Sequence, residues 1–304
     1  MHILVTGGAG FIASHVATRF MALDHDVTIL DDLSSGFREN LPPSMRFVQG
    51  DITDQSLVGR LFGQRPFDVV CHHAAQMSVV RSVAEPVFDA QVNVLGTLNL
   101  LQQCVQTGVK RFMFSSTGGA LYGEQETFPA AEDHPTRPVS PYGISKLTCE
   151  HYINYYHAQH GLLPIIMRYA NVYGPRQNPH GEAGVVAIFS RRLAAGGQVT
   201  INGDGLQTRD YIHVDDVVAA NVAALNHDGP ITFNIGTGIE TDVVTLYGHL
   251  LKAANRDSTP HHGPAMPGEQ RRSVISPAYA LETMGWAPQV SLADGLAMTY
   301  RSFT

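Results

Sequence analysis

Short apolar runs alternate with amphipathic stretches along the first half of this 304-residue chain. The spacing predicts strands at 2–6, 27–31, 46–48, 68–71, 111–114 and 163–168, with helices from about Asp54, after Pro86 and from Tyr142 toward His160. After Pro86, apolar residues recur at helical intervals as far as Val105. Because strands and helices alternate, we predict βαβ units and an α/β fold with a doubly wound parallel sheet.

The composition of the sequence changes after Arg168. The segment 171–184 combines Gly, Pro and Asn with Tyr and Arg, so we expect a ligand-facing loop without regular structure. Beyond it the pattern predicts helices at 185–195, 215–225, 243–254 and 291–302, and short strands at 199–201 and 232–235. We interpret 1–168 as one domain and 169–304 as mainly a second, smaller α/β domain, with segments of about 199–230 returning to the first.

The first strand passes directly into a glycine turn that runs from Gly7 to Ala13. Glycine permits backbone angles closed to other residues, and the helix that follows offers free N–H groups to a phosphate. The spacing Gly7-x-x-Gly10-x-x-Ala13 differs from the G-x-G-x-x-G dinucleotide fingerprint, and Ala13 takes the last small-residue position. The turn predicts a phosphate cradle in a Rossmann-type sheet, while the glycines taken alone also suit an ordinary tight turn.

A carboxylate ends the second predicted strand. Asp31 lies about 20 positions after Gly10, the spacing of a residue that accepts hydrogen bonds from the adenosine ribose. A negative charge there would repel a 2′-phosphate, so the sequence predicts NAD rather than NADP. Asp51, at the end of the third strand, is placed to meet the adenine edge. The alternative interpretation of Asp31 is an aspartate in a surface turn.

Tyr142 and Lys146 lie four residues apart in a predicted helix. Residues at this spacing share one helix face, so an ammonium lies close to a phenol whose ordinary pKa is about 10. A lysine cation, joined by the positive ring of an oxidised nicotinamide, would favour the phenolate and make it a base. Alone, the pair is a common solvated arrangement, and the glycine turn gives it a chemical meaning.

Composition excludes several classes of protein. Lys+Arg 20 against Asp+Glu 27 gives a net charge of −7, which argues against nucleic-acid binding and leaves anionic ligands to a few local arginines. Three cysteines without C-x-x-C spacing suit a reducing compartment, and the fifteen histidines show no metal-binding motif. Neither a signal segment nor an apolar run long enough for a membrane span is present, so we expect a cytoplasmic protein.

Ordered motifs extend the pattern over almost the whole chain. They lie at 6–12, 31–36, 50–52, 73–75, 93–97, 115–117, 142–146, 168–175 and 203–211. Together they resemble the extended short-chain dehydrogenase/reductase superfamily, and most closely its NAD-dependent nucleotide-sugar epimerases of the UDP-glucose 4-epimerase type. The resemblance implies a Rossmann-type sheet with a smaller C-terminal substrate domain, NAD as cofactor, a UDP-sugar as substrate and a homodimer formed through the helices after Pro86 and around Tyr142.

The resemblance also implies roles for single residues. Tyr142 would be the base, Lys146 would hold the nicotinamide ribose, and Thr117 would donate a hydrogen bond to the reacting sugar oxygen. Ser116 is the alternative to Thr117, because Gly118 and the glycine after it lengthen this loop by one residue relative to some relatives. The implied cofactor contacts are Gly7, Gly10, Phe11, Ile12, Asp31, Asp32, Ser35, Gly36, Asp51, Ile52, His73, Ala74, Ala75, Asn93, Ser115, Tyr142, Lys146 and Tyr169. The implied substrate contacts are Ser116, Thr117, Tyr142, Asn171, Val185, Val186, Arg209 and Arg271.

The loop after Thr117 bears on the reaction. Dehydrating relatives carry an Asp-Glu pair there, because elimination of water needs an extra acid and base. Here the segment from Gly118 to Leu121 has no carboxylate, which favours reversible hydride removal and return at C4 through a 4-keto sugar. A net nucleotide-sugar dehydrogenase or reductase and a non-enzymatic NAD-binding protein remain alternatives.

Two further positions bear on the substrate. Ser273 stands near a place where some relatives have a bulky tyrosine, so an N-acetylated sugar is an additional candidate. Met266 replaces an arginine of many relatives, which would make diphosphate binding depend more on Arg209 and Arg271.

Overall fold

The computed structural model describes residues 1–179, 184–265 and 270–304. Its strands are β1 His2–Thr6, β2 Asp26–Asp31, β3 Arg46–Gln49, β4 Val69–His72, β5 Arg111–Thr117, β6 Leu163–Tyr169, β7 Asn171–Tyr173, β8 Thr200–Asn202, β9 Thr208–His213, β10 Ile231–Ile235, β11 Glu240–Asp242, β12 His261–Gly263 and β13 Arg272–Ser273. Its α-helices are α1 Phe11–Ala22, α2 Gln55–Gln64, α3 Val79–Ala84, α4 Pro86–Ala90, α5 Gly96–Thr107, α6 Gly118–Leu121, α7 Pro141–His160, α8 Val185–Ala194, α9 Val214–Leu225, α10 Val243–Ala253, α11 Ala278–Met284 and α12 Leu292–Arg301.

A seven-stranded parallel sheet with the order β10-β6-β5-β4-β1-β2-β3 lies at the centre of the described residues. One buried cluster packs α1 and α9 on one face of this sheet, and a second packs α2, α5 and α7 on the other. The doubly wound Rossmann-type architecture is therefore confirmed. The strand order reverses between β1 and β4, and in such sheets ligands bind at the carboxyl ends of the strands beside that switch point.

The catalytic candidates on α7 owe their position to a defined helix start. Ser140 caps the helix by accepting a hydrogen bond from the Gly143 backbone N–H, and Pro141 occupies the first turn. Gly161 ends the helix in the left-handed conformation. The helix therefore begins beside the carboxyl end of β5, and its second residue is Tyr142.

A smaller unit is built around β9, with β7 and β13 parallel to it and β11 antiparallel. Its core joins α8, α10 and α12. The expectation of no regular structure at 171–184 was wrong at its start, because β7 pairs with β9 from Asn171 to Tyr173 despite the neighbouring Gly and Pro. Residues 180–183 of that segment lie outside the described ranges.

Two further expectations differ from the structure. The helix after Pro86 is divided into α4, a π-helical turn at Gln91–Leu95 and α5. The return to the large sheet is made by α9 and β10 and so extends past 230, whereas β8 pairs with β12 in a separate two-stranded sheet. Apolar periodicity marks buried faces, but it does not say which sheet a short strand joins.

Candidate active site

The glycine turn forms a backbone cradle between β1 and α1. Gly7 has φ +67°, and a Cβ on it would lie 2.6 Å from the Ala74 backbone nitrogen. Gly36 packs against the turn from the other side, where a Cβ would lie 2.7 Å from the Ala9 carbonyl carbon. Gly10 caps α1, so the half-buried Phe11 and Ile12 lie in the first turn of that helix. The turn and the free N–H groups of α1 fit a dinucleotide pyrophosphate.

Asp31 is fixed directly beneath this cradle. Its Oδ2 accepts a hydrogen bond from the Ala9 N–H at 2.9 Å and its Oδ1 from the Leu33 N–H at 2.8 Å. The residue is only 7% exposed, and burial raises the pKa of its carboxyl. By contrast, Asp32 and Ser35 are exposed, and Asp32 accepts hydrogen bonds from Ser34. The carboxylate that the spacing singled out is therefore the one joined to the turn.

The predicted adenine end lies at the carboxyl end of β3. Asp51 is exposed and accepts a hydrogen bond from the Thr53 N–H at 2.8 Å. Ile52 is buried, and its carbonyl accepts a hydrogen bond from Asn99 Nδ2 at 2.8 Å. A cavity of about 260 Å³ opens beside Asp51 and Asn99.

The end of β4 carries a directional chain of hydrogen bonds. Thr97 Oγ1 donates to the Asn93 carbonyl at 2.5 Å, so it accepts from His72 Nε2 at 3.0 Å. His72 Nδ1 then accepts from Thr6 Oγ1 at 2.6 Å. Burial lowers the pKa of His72 well below its usual value, which keeps the ring neutral in this chain. The network ties β1, β4 and α5 together under the cofactor cleft.

The next residues of this loop are three of the predicted cofactor contacts. His73, Ala74 and Ala75 are half-buried. The ring of His73 stacks against that of the buried Tyr169, whose hydroxyl lies 3.4 Å from His73 Nε2. Asn93 holds the loop from below by accepting from the Gln76 N–H at 2.8 Å and donating to the Gln76 carbonyl at 2.9 Å.

Lys146 and Tyr142 lie on one face of α7 at the edge of β5. Lys146 is 4% exposed, and its Nζ donates a hydrogen bond to the Ser115 carbonyl at 2.9 Å. The same nitrogen lies 6.0 Å from the centroid of the Tyr142 ring. Burial lowers the pKa of Lys146 to about 8 and raises that of Tyr142. Lys146 alone therefore does not stabilise the phenolate of Tyr142, whereas the positive ring of an oxidised nicotinamide beside the phenol would do so.

The two hydroxyls at the end of β5 have different surroundings. Ser116 is buried, and its Oγ donates to Glu150 Oε1 at 2.5 Å. Glu150 is in turn paired with Arg168, whose NH2 lies 2.7 Å from Oε2. Thr117 is half-buried, and a Cβ on Gly119 would lie 3.9 Å from its Oγ1 and 3.6 Å from Asn171 Oδ1. Ser116 thus faces a buried ion pair, whereas Thr117 and Asn171 face the same space.

The remaining substrate candidates are distributed over the smaller unit. Val185 and Val186 begin α8, where the first N–H groups have no partner within the helix. The Val186 side chain is buried, and that of Val185 is half-buried. Arg209 on β9 is in register with Ser273 on β13. Arg271, just before β13, makes a bidentate ion pair with Asp204 at 2.9 Å for both contacts. Met266 lies outside the described residues.

Several polar residues of the site carried no recognisable signal in the sequence. Asp89, Gln76 and Glu150 are buried, and hydrogen bonds join Asp89 and Gln76 to Asn93 and Glu150 to Ser116. The one available hint was the i, i+4 spacing of Asp89 and Asn93 within an otherwise apolar helical pattern. Their partners come from distant parts of the chain, and local spacing does not reveal these.

Two classes of site are absent from the described part of the chain. No group of His, Cys, Asp or Glu within it has an arrangement suited to a metal ion. No described helix combines the length and apolar character needed to cross a membrane.

Comparison with known proteins places this geometry in context. Residues 3–236 match the model of the NAD dependent epimerase/dehydratase family. The chain is 46% identical to a UDP-glucose 4-epimerase of Mycolicibacterium smegmatis, covering 100% of this chain and 98% of that protein. It is similar to the UDP-glucose 4-epimerase of Thermotoga maritima solved with UDP-glucose, with TM-score 0.98, 46% identity and coverage of 100% and 98%. The Thermus thermophilus UDP-glucose 4-epimerase, solved with NAD, gives TM-score 0.94, 44% identity and coverage of 100% and 99%.

The cradle generates a prediction about cofactor affinity. Gly36→Ala places a Cβ against the Ala9 backbone and forces the turn to move, so we expect NAD affinity to fall about tenfold or more. Isothermal titration with NAD measures the change. Gly63→Ala is the matched control, because a Cβ there meets nothing within 4 Å and alanine suits a helix. Equal NAD affinity in the two variants would contradict the assignment of the cradle.

Proposed function

Since the chain belongs to the NAD-dependent epimerase/dehydratase family, we propose that it inverts C4 of a UDP-sugar of the UDP-glucose/UDP-galactose type. The observation that carries the proposal is the placement of Thr117, Tyr142 and Lys146 at the carboxyl edge of the sheet, beside a helix α6 without a carboxylate. NAD, when bound, supplies the hydride acceptor and donor for such a reaction. The cradle at Gly7, Gly10 and Gly36 and the carboxylate of Asp31 would hold it.

Tyr142 moves the proton in this proposal. Its phenol oxygen takes the proton of the sugar 4-hydroxyl as the C4–H bond breaks, and returns it when the hydride comes back to the other face. Lys146 stays attached to β5 through the Ser115 carbonyl and directs its remaining N–H groups toward the ribose and the phenol. Because burial raises the pKa of Tyr142, the phenolate becomes populated near neutral pH only when positive charge is added beside it.

Thr117 is the better candidate for the hydroxyl that contacts the sugar oxygen. Ser116 donates its hydrogen to Glu150, and that carboxylate also accepts from Arg168 Nε at 3.1 Å. Removing Ser116 Oγ from this interior network would leave a charged group less well paired. Thr117 Oγ1 and Asn171 Oδ1 both lie near Gly119, which supports a shared sugar site there.

The nucleotide end is assigned to the smaller unit. We place the diphosphate against Arg209 and Arg271, which lie on neighbouring stretches of backbone because the Thr208 N–H donates to the Arg271 carbonyl at 3.0 Å. A diphosphate would compete with Asp204 for Arg271, and guanidinium groups suit bidentate contacts with phosphate. The N–H groups of Val185 and Val186 and the amide of Asn171 would contact the rest of the UDP group.

The small side chain at position 273 bears on which sugars are accepted. Ser273 is buried, and its strand β13 lies beside β9 next to Arg209. A small side chain at this position supports acceptance of an N-acetylated sugar as well as the plain hexose. UDP-N-acetylglucosamine is therefore a second substrate to assay. We also propose that the protein acts in the cytoplasm.

An exposed apolar face supports a homodimer. Val80, Val83, Val87 and Leu95 are between 56% and 70% exposed, and α3, α4 and the π-helical turn that carry them pack against α7. Ile144 and Tyr155 extend the exposed apolar surface along α7. A second copy of the chain would cover this face with the same helices around a twofold axis.

The catalytic assignment predicts the following outcome. The purified protein with NAD should interconvert UDP-glucose and UDP-galactose with no net change in NADH absorbance, whereas a dehydrogenase would change it stoichiometrically. Tyr142→Phe removes the base and should lower kcat by about 100-fold to 10,000-fold. Tyr279→Phe on α11, 43% exposed, is the control and should stay active. Inactivity toward every nucleotide sugar, or full activity of Tyr142→Phe, would refute the proposal.

The two hydroxyls predict different phenotypes. Thr117→Ala should lower kcat about 100-fold with little change in stability, because it removes a donor to the reacting oxygen. Thr117→Ser should recover most of the activity. Ser116→Ala should instead lower the unfolding temperature, since Glu150 loses a buried donor. Kinetics and thermal denaturation of the three variants separate these effects, and the reverse pattern would assign the role to Ser116.

The proposed dimer predicts a change in molecular mass. Val83→Asp puts a charge into the apolar face, so sedimentation should shift from dimer to monomer. Ile239→Asp is matched in exposure, 65% against 64% for Val83, but lies on another surface and should leave the dimer intact. A monomeric wild-type protein would contradict the proposal.

A further inference from the structure

A buried carboxylate outside the proposed catalytic set lies between the cofactor cleft and α7. Asp89 on α4 is 0% exposed. Its Oδ1 accepts from Gln76 Nε2 at 2.8 Å and Asn93 Nδ2 at 3.0 Å, and its Oδ2 accepts from Ser145 Oγ at 2.6 Å. All three donors are neutral. A buried carboxylate loses its hydration, and neutral donors restore only part of that loss, so this arrangement points to a role beyond packing.

The three donors belong to three separate parts of the site. Gln76 lies in the loop that follows β4, and it also holds Ser78 through hydrogen bonds of its amide to the Ser78 N–H and carbonyl. Asn93 lies in the π-helical turn and pairs with both backbone groups of Gln76. Ser145 lies on α7, directly before Lys146. Asp89 therefore contacts all three parts.

The π-helical turn explains how one helix reaches the loop. Gln91–Leu95 is wound more loosely than the α4 and α5 segments that flank it. Such turns are rare and are frequent at functional sites. Here Asp89 precedes the turn and Asn93 lies within it. Their side chains are on the same side, and Asn93 Nδ2 donates to Asp89 Oδ1 at 3.0 Å.

The charge of Asp89 acts on the groups around it. Tyr142, Lys146, Cys149 and Glu150 face this region from α7, and the neutral His72 and His73 face it from β4. Burial is the larger influence on both Tyr142 and Lys146, and it brings the pKa of Lys146 down to about 8. Asp89 opposes this effect on Lys146 and raises the pKa of Tyr142 further.

We propose that Asp89 is a positioning residue that fixes the 74–78 loop relative to α7 and holds its carboxylate beside the helix that carries Lys146. It touches neither the sugar nor the reacting atoms. Its effect on turnover rests on the proposed function, whereas its effects on NAD binding and on Tyr142 ionisation do not. Asp89 thus links the wall of the cofactor cleft to the helix that carries the base.

Asp89→Asn tests the charge while keeping the shape. Loss of the anion lowers the pKa of Lys146 and of Tyr142, so the alkaline limb of the kcat profile should move to lower pH by about one unit. Tyrosinate absorbance, taken as the difference between this variant and its Tyr142→Phe double variant, should likewise appear at lower pH. NAD affinity should fall about tenfold because the loop loses its clamp. The KM for the sugar should stay the same.

Asp216→Asn is the matched control. Asp216 is equally buried and accepts hydrogen bonds from the Gln289 and Val290 N–H groups, away from α7. It should lower thermal stability without moving the pH limb or NAD affinity. If Asp89→Asn and Asp216→Asn change only stability, the proposal is overturned.

Ser145→Ala is a second variant that retains the charge and most of the network. It should weaken NAD binding severalfold but leave the pH limb in place, because only the contact to α7 is removed. Unchanged NAD affinity in this variant would remove the positioning role even if Asp89→Asn did not fold. Should the wild-type protein act on no nucleotide sugar, NAD titration and tyrosinate absorbance still decide the role of Asp89.

Discussion

The site depends on one buried contact, the hydrogen bond from Lys146 Nζ to the Ser115 carbonyl. A lysine is seldom buried, because its ammonium loses hydration that a single carbonyl does not replace. The Phe114 ring, whose centroid lies 4.7 Å from Nζ, adds a favourable cation–π contact. The hydrogen bond to the Ser115 carbonyl fixes α7 to the end of β5. Tyr142, one turn earlier on the same helix, is thereby held where two parallel strands end.

The electrostatics of this contact favour a loaded enzyme over a free one. Burial lowers the pKa of Lys146 and raises that of Tyr142, so both groups tend toward neutrality in the protein alone. Adding a positive nicotinamide ring beside the phenol reverses the balance for Tyr142, because a nearby cation stabilises its anion. The phenolate of Tyr142 would therefore be available as a base mainly when the hydride acceptor is present. Proton abstraction without a partner oxidation would be suppressed.

The sequence predicted the large sheet well and the smaller unit less completely. Strands such as β1 and β6 are apolar runs buried on both faces, and their local pattern is sufficient to identify them. By contrast, β7 and β13 are three and two residues long and exist because they pair with β9. No local periodicity encodes such strands. The sequence also did not predict the division of the helix after Pro86, because local apolar periodicity does not distinguish a π-helical turn from the α-helix around it.

The candidate site likewise contains residues that local spacing predicts and residues that it does not. Local spacing was sufficient to single out the glycine turn, Asp31, Tyr142 and Lys146, because phosphate binding and proton transfer need fixed spacing within one segment. The network of Asp89, Gln76 and Ser145 joins three segments, and each residue alone resembles a surface polar group in the sequence. Likewise, the choice between Ser116 and Thr117 required the position of Glu150, which lies 34 residues away on α7.

The chemistry that this family shares leaves the outcome of the reaction to a few side chains. Epimerases and dehydratases belong to one family, so the fold does not decide between the two reactions. Here the deciding segment is α6. At Gly118 a Cβ would lie 2.6 Å from Ile275 Cδ1, so a carboxylate is excluded there unless Ile275 moves. At Gly119 a Cβ would make only ordinary contacts with Asn171 and Thr117, so a longer side chain there would enter the proposed sugar site. A glycine at this second position places no acid beside Thr117 and Asn171, which agrees with the proposed epimerisation rather than with loss of water.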